Sequence, residues 1–243
     1  MRILIVSDIH ANLIALDAVL TAAGEVDEVW NLGDTVGYGP RPRECIDRMR
    51  SISATLSLSG NHDLAALGHI DLTTFNSAAR IAAEWTVMHL DDDHRAYLES
   101  LPSKVEHGDV TLAHGSPRSP VWEYITSDSV AAENFAHFTT PVCLVGHAHV
   151  ASYAEQSEDV ETVELYLLSE GEVLDLGASR WIINPGSVGQ PRDRDPRAAY
   201  AILDADRATL TAYRVPYDVS ATQGQMVAAQ LPESLIRRLA SGI

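Results

Sequence analysis

Four apolar residues, Ile3-Leu4-Ile5-Val6, run without interruption between Arg2 and the polar pair Ser7-Asp8. A run this short with no polar alternation is the mark of a strand covered on both faces, which demands layers on each side of its sheet. The next residues repeat the demand. Asn12 is placed to cap a helix whose apolar stripe is Leu13, Leu16, Leu20 and Ala23, Gly24 supplies a left-handed stop, and a strand is expected near Glu28 to Leu32. A helix over Arg43 to Arg50 and a strand over Ile52 to Leu58 complete a βαβαβ half-sheet in the first 60 residues.

Thr73 to Ser100 is expected to be helical with a break near Asp91-Asp92-Asp93, an acidic run suited to starting a helix. From Val105 strand pairing dominates, with strands expected near Asp109 to Ala113, Val142 to Val145, Val150 to Tyr153, Val160 to Leu168, Glu172 to Leu174, Arg180 to Ile183, Ala198 to Leu203 and Thr209 to Val215. Asp204-Ala205-Asp206 reads as a hairpin turn. No repeat or linker marks a boundary in the 243 residues, so one domain spanning 1–243 is expected.

Five segments place Asp, Asn or His just past an expected strand: Asp8-Ile9-His10, Gly33-Asp34, Gly60-Asn61-His62-Asp63, His114-Gly115 and Gly146-His147-Ala148-His149. Ligands of open α/β sheets collect at the carboxyl ends of strands, so residues far apart in sequence converge there. Asp-x-His and His-x-His each send two O or N donors from one loop, a set suited to Mn, Fe, Zn, Co or Ni. Any one of these segments alone is more often a structural histidine or a turn, and the ordered set of five carries the reading. His69, His89, His94, His107 and His137 have no partner motif and read as surface or packing residues.

In that order the five motifs resemble the calcineurin-like metallophosphoesterase superfamily, over residues 8 to 149, with Asp63 where many members carry Glu. The resemblance implies a four-layer α/β/β/α sandwich of two mixed sheets flanked by helices, with two divalent metal ions at one rim. It implies that Asp8, His10 and His149 hold one metal, that Asn61, His114 and His147 hold the other, and that Asp34 bridges both. A metal-bridging hydroxide would attack phosphorus, His62 would protonate the leaving oxygen, and Asp63 would orient the His62 ring.

The stretches Asp34 to Pro40 and Asn184 to Asp193 resemble a bacterial and archaeal branch that includes phosphodiesterases and dinucleoside polyphosphate hydrolases. Asn184 and Arg192 are candidates for binding a phosphate oxygen; the alternative is a Pro/Gly turn whose arginine pairs with Asp193 or Asp195. Tyr38 either stacks on a base or packs as a core aromatic.

Composition limits the partners. With 34 acidic and 17 basic residues the net charge is −17, which repels polymeric nucleic acid and leaves small phosphate-containing substrates, held by a metal that reverses the field locally. The two cysteines, Cys45 and Cys143, read as packed thiols. No signal segment or run of ~20 apolar residues is evident, so a cytoplasmic location without membrane contact is expected, and a homo-oligomer stays open. The expected activity is hydrolysis of small phosphodiesters or nucleotides. The alternatives are a phosphoprotein phosphatase on the same centre, disfavoured because segments after His62 and His114 are expected to wall the site, and a silent binding scaffold, disfavoured because every ligand is kept.

Overall fold

The computed structural model describes residues 1–52, 55–157 and 162–243. In chain order the elements are β1 (Arg2–Val6), α1 (Leu13–Ala23), β2 (Glu28–Asn31), α2 (Pro42–Arg50), β3 (Thr55–Ser57), α3 (Asn61–Leu67), α4 (Ser77–His89), α5 (Asp92–Glu99), β4 (Lys104–His107), β5 (Val110–Ala113), α6 (Asp128–Asn134), β6 (Val142–Val145), β7 (Ser152–Gln156), β8 (Leu165–Leu167), β9 (Val173–Asp175), β10 (Arg180–Asn184), β11 (Ala198–Asp204), β12 (Thr209–Val215), α7 (Val219–Ala228) and α8 (Glu233–Arg238). They form two six-stranded mixed sheets flanked by helices, ordered β3-β2-β1-β11-β12-β9 and β4-β5-β6-β10-β7-β8.

The layering follows from the two-residue period of a strand. Ile3 and Ile5 of β1 face the second sheet and bury with Leu112, Val142, Leu144, Trp181, Ile183 and Leu203 in a core shared by both sheets. Leu4 and Val6 point the other way, onto Leu16 and Val19 of α1 and Cys45 and Met49 of α2. The second sheet repeats the pattern: Cys143, Val145 and Ile182 turn outward onto Ala131 of α6 and onto Phe135 and Phe138. Both cysteines are buried free thiols, pushed up in pKa by burial.

Asn12 caps α1 by accepting from the Ala15 amide, and Asp91 caps α5 by accepting from the Asp93 and His94 amides, which breaks the helical stretch where the acidic run begins. The third strand is shorter than expected, β3 covering Thr55–Ser57, with 53–54 outside the described residues. Likewise β7 begins two residues late, at Ser152, and only Leu165–Leu167 of the expected 160–168 strand pairs, with 160 and 161 also outside the described residues. Helices α3, α6, α7 and α8 and strand β4 were not expected. These helices are only 6 to 10 residues long, too short to hold by propensity, and they persist because they pack. Met226 of α7, Leu235 of α8, and Leu231 and Leu239 beside them enclose Tyr38 with Ala79 and Ala82 of α4. Among the described residues no helix is long and apolar enough to cross a membrane.

β1, β2 and β3 run parallel in the first sheet, and β5, β6 and β10 run parallel in the second. All six release their chains at one rim, and the five motifs sit on those loops.

Candidate metal centre

The rim loops are bound to one another through their main chains. The Asp8, His10 and Ala11 amides donate to the carbonyls of Gly33 (3.0 Å), Asp34 (2.9 Å) and Thr35 (2.9 Å), and Val188 and Gly189 donate to Ser7 and Asp8 (2.9 Å each). On the loops that leave the second sheet, Gly146 N donates to His114 O (2.8 Å) and Arg192 N to His149 O (3.0 Å). Within this frame Asp8, His10, Asp34, His147 and His149 all adopt positive φ, between 49° and 65°, a region L-residues rarely occupy. Gly37 (φ 89°) presses against the His62 ring, where an added Cβ would lie 2.6 Å from Nδ1, and a Cβ on Gly60 would lie 2.1 Å from Asp34 Oδ1. Both positions exclude any side chain.

The result is two groups of buried donors that share one residue. Asp8, His10, Asp34 and His149 form the first and Asp34, His114 and His147 the second, the ligand atoms of each lying within 4.8 Å of one another. Asp34 Oδ2 lies 3.6 Å from His10 Nε2 and 3.4 Å from His114 Nε2, while His149 Nε2 lies 3.4 Å from Asp8 Oδ1. Asn61 joins the second group through its Oδ1, 3.2 Å from His114 Nε2.

Three of the histidines are fixed in orientation through Nδ1. Nδ1–H of His10 donates to Val36 O (3.1 Å), that of His114 to Leu32 O (2.9 Å) and that of His149 to Gln190 O (2.6 Å). A carbonyl only accepts, so Nδ1 carries the proton and Nε2 is presented to the site. Burial lowers His10 and His149 well below the ordinary range, so both rings are neutral at pH 7. Their Nε2 lone pairs then face each other at 3.0 Å with no proton to share, an arrangement a cation between them would relieve. Asp34 Oδ2 and His147 Nε2 are likewise buried without a hydrogen-bond partner. These residues fit divalent metal ions.

The charges agree with that fit. Burial pushes Asp34 up, yet the charge of His114 beside it outweighs this and holds the carboxyl well below its usual range. Burial likewise pushes His114 down, but Asp34 beside it overrides this and raises it to about 9. Burial lifts Asp8 to about 7, and lowers His147 to about 3 and His62 to about 4.

Four sequence expectations need correction. Asp63 does not orient the His62 ring: its carboxylate accepts from the amides of Gly60 (2.9 Å), Val36 (3.0 Å) and Thr35 (3.3 Å), and His62 Nδ1 has no partner. Asn184 holds the loops rather than standing free for a phosphate, since it is buried, its Nδ2 donates to Gly146 O (2.7 Å) and its Oδ1 accepts from Gly186 N (2.9 Å). Tyr38 is 7% exposed, packed 4.2 Å from the His62 ring and 4.7 Å from the His10 ring with the Arg192 guanidinium over its ring and near its hydroxyl, so it has no face free for a base. Finally, Asp193 pairs with Arg214 and Asp195 with Arg197, which removes the turn-pairing alternative for Arg192. His94 is buried between Asp91 and Asp47 as a packing residue, whereas His69 is exposed beside Glu99.

Residues that the sequence did not single out border the site. Tyr124 stacks on His147 (3.8 Å between ring centroids, 26°), and Phe75 links the rings of His62 (4.9 Å) and Trp122 (5.8 Å). Trp122 and Tyr124 are 42% and 44% exposed, so this aromatic wall faces solvent at the mouth. Their one signal in the sequence is their place in the loop that follows His114-Gly115.

Comparison with known proteins agrees with this geometry. Residues 1–208 match the family described as the calcineurin-like phosphoesterase superfamily domain. A protein of Methanocaldococcus jannaschii is 35% identical over 247 residues, covering 99% of this chain and 98% of that one. Among solved structures, a metallophosphoesterase from Sphaerobacter thermophilus superposes with a TM-score of 0.92 at 53% identity, covering 100% of this chain and 99% of that one. A Pyrococcus horikoshii protein shares the fold, with a TM-score of 0.78 at 20% identity over 100% of this chain and 98% of its own.

Proposed function

The chain belongs to the calcineurin-like phosphoesterase superfamily, and from that premise we propose that it is a two-metal hydrolase of small phosphate esters, with phosphodiesters and nucleotides as its substrate class. The observation that carries this reading is Asp34 Oδ2, a buried oxygen without a partner that belongs to both donor groups at once. One cation would be held by Asp8, His10 and His149, the other by Asn61, His114 and His147, and Asp34 would serve both. When bound, such a pair supplies the Lewis acidity that activates water and offsets the charge of the phosphoryl oxygens.

The chain's own residues set the rest. The Val36, Leu32 and Gln190 carbonyls hold the His10, His114 and His149 rings in register, so the ligand nitrogens are aimed before any metal arrives. Asp63 ties the Asp34 loop to the start of α3, which fixes the spacing between Asp34, Asn61 and His62. His62, buried and with Nδ1 unpartnered, is left to hold a proton toward the departing oxygen. Arg192, free of carboxylate partners among the described residues, is left for the substrate's negative charge. The exposed Trp122 and Tyr124 suit a flat leaving group such as a nucleobase. Together with Phe75 they form an aromatic border beside His62 and His147, a surface suited to small esters rather than to a phosphoprotein.

The test is a panel. Protein stripped with chelator and reloaded with Mn²⁺, Co²⁺, Zn²⁺, Ni²⁺ or Fe²⁺ is assayed on bis-p-nitrophenyl phosphate, nucleotides, phosphoserine peptides and duplex DNA. Metal-restored turnover of the diester and of nucleotides is expected, with little cutting of DNA. Faster hydrolysis of phosphoserine peptides than of every small ester would replace the reading with a protein phosphatase on the same centre, and inertness on all of them would overturn it.

A further inference from the structure

Gln190 links the metal centre to a second cation. Its main-chain oxygen accepts from His149 Nδ1 (2.6 Å), and its side-chain oxygen accepts from Arg192 Nη2 (3.0 Å) and from Arg238 Nη1 (3.1 Å). Arg238 closes α8, 46 positions beyond Arg192 and outside the family match that ends at residue 208. Two guanidinium groups thus converge on one neutral amide, with the Tyr38 hydroxyl 3.5 Å from Arg192 Nη2 and the Tyr38 ring 4.7 Å from that of His10.

This pairing is out of character for the chain. Acidic side chains outnumber basic ones 34 to 17, and Arg48, Arg118, Arg197, Arg214 and Arg237 each rest on a carboxylate. Among the described residues Arg192 does not. Arg192 Nε is buried with no partner, and Arg238, half-buried, gives its Nε to an oxygen of Ile243, the last residue of the chain, while its Nη1 stays on Gln190. Like charges held together and partly out of water are costly unless an anion joins them. The fork of a guanidinium matches the oxygens of a phosphoryl group, and two forks can grip one such group from two sides.

We propose that Arg192 and Arg238, set on Gln190, form an anion subsite that takes a second phosphoryl group of the substrate, beside the phosphorus at the metal centre. The substrates it favours therefore carry a phosphoanhydride, as nucleoside di- and triphosphates and dinucleoside polyphosphates do. The inference rests on the phosphoesterase reading above and adds a selectivity to it. Because half of the subsite comes from α8, that selectivity belongs to the last helix and not to the matched region.

Calorimetry on the full-length, metal-loaded protein tests it, with inorganic phosphate and inorganic pyrophosphate as probes. Wild type should bind pyrophosphate more tightly. Arg238→Gln should weaken pyrophosphate roughly 10- to 100-fold, the scale of a lost charge-assisted contact, and weaken phosphate far less. Arg238→Lys, which keeps the charge but not the fork, should recover part of the loss, and Arg237→Gln, an exposed neighbour paired with Glu233, should match wild type for both probes. An equal loss of phosphate and pyrophosphate binding in Arg238→Gln, or no loss of either, would overturn the subsite. Turnover of bis-p-nitrophenyl phosphate, which has a single phosphorus, reports separately on the phosphoesterase reading: if wild type is inert, that reading fails while the pyrophosphate titration still decides the subsite.

Discussion

Replacing Asp34 by asparagine changes one atom at the point where the two donor groups meet. Oδ1 can go on accepting from the His62 amide (2.8 Å), so the local backbone is kept. What changes is the oxygen shared between His10 Nε2 at 3.6 Å and His114 Nε2 at 3.4 Å, which becomes part of a neutral amide that cannot serve two cations. A ligand present at 100 times its dissociation constant stabilises the folded state by about 2.7 kcal/mol, so two occupied sites contribute about 5 kcal/mol. At roughly 2–4 °C per kcal/mol for a chain of this size, wild type should melt roughly 10–20 °C higher with metal than with chelator. Asp34→Asn should lose most of that difference and most of its turnover, and its bound metal should drop from about two equivalents to one or fewer. Scanning calorimetry with and without chelator, paired with elemental analysis of the same samples, reads all three. Full metal content with unchanged turnover and an unchanged chelator shift would refute the shared-ligand argument.

Three further outcomes are expected. His62→Asn should keep both metals but slow poor leaving groups by roughly 10²–10⁴-fold, with a smaller deficit for nitrophenyl esters, measured as kcat across a leaving-group series. An equal deficit throughout would mean that His62 only positions the phosphate. Asp63→Ala removes the acceptor of three buried amides, each left unsatisfied at a cost of about 1–3 kcal/mol, so melting temperature and bound metal should both fall while turnover per bound metal holds; His69→Ala should alter none of these. Trp122→Ala should raise KM for nucleotides more than for methyl phosphate esters, and an equal rise for both would remove the stacking role.

Much of this was legible because it depended on local spacing. The two-residue period of Ile3 to Val6 and of Val142 to Val145 fixes which side chains face the shared core, and strand ends fix where the motif loops emerge. The donor set could be read for the same reason, since each motif hangs from its own strand. What could not be read depends on partners brought in from elsewhere. Asp63 and Asn184 look like groups free for chemistry until the fold brings them the Thr35 amide and the Gly146 carbonyl, which use them up. The short helices α7 and α8 have weak local signals and are held by packing on Tyr38 and α4. Arg238 therefore had no visible connection to the site, because the link runs through that packing and through Gln190.

The backbone at the centre bears on how metal and folding are coupled. In both Asp8-Ile9-His10 and His147-Ala148-His149 the two donors adopt positive φ and the residue between them does not, so the strain lies on the donors themselves. Each such residue costs about 1–3 kcal/mol and persists only where its surroundings over-determine it. Here the surroundings are main-chain bonds from neighbouring loops, among them Asp8 N to Gly33 O and His10 N to Asp34 O, supported by the Asp8 carboxylate accepting from the His147 amide (3.1 Å). All of these are made by the polypeptide without help from a cation. The left-handed loops should therefore stay in place when metal is removed, and the chelator-induced loss of stability should be a mass-action effect on an intact fold. Chelated protein should keep its near-ultraviolet circular dichroism and the slow amide exchange of residues 8 and 10, and should rebind metal without a refolding phase. Loss of that dichroism together with fast exchange at those amides would show instead that the cations, and not the inter-loop bonds, hold the donors in their strained conformation.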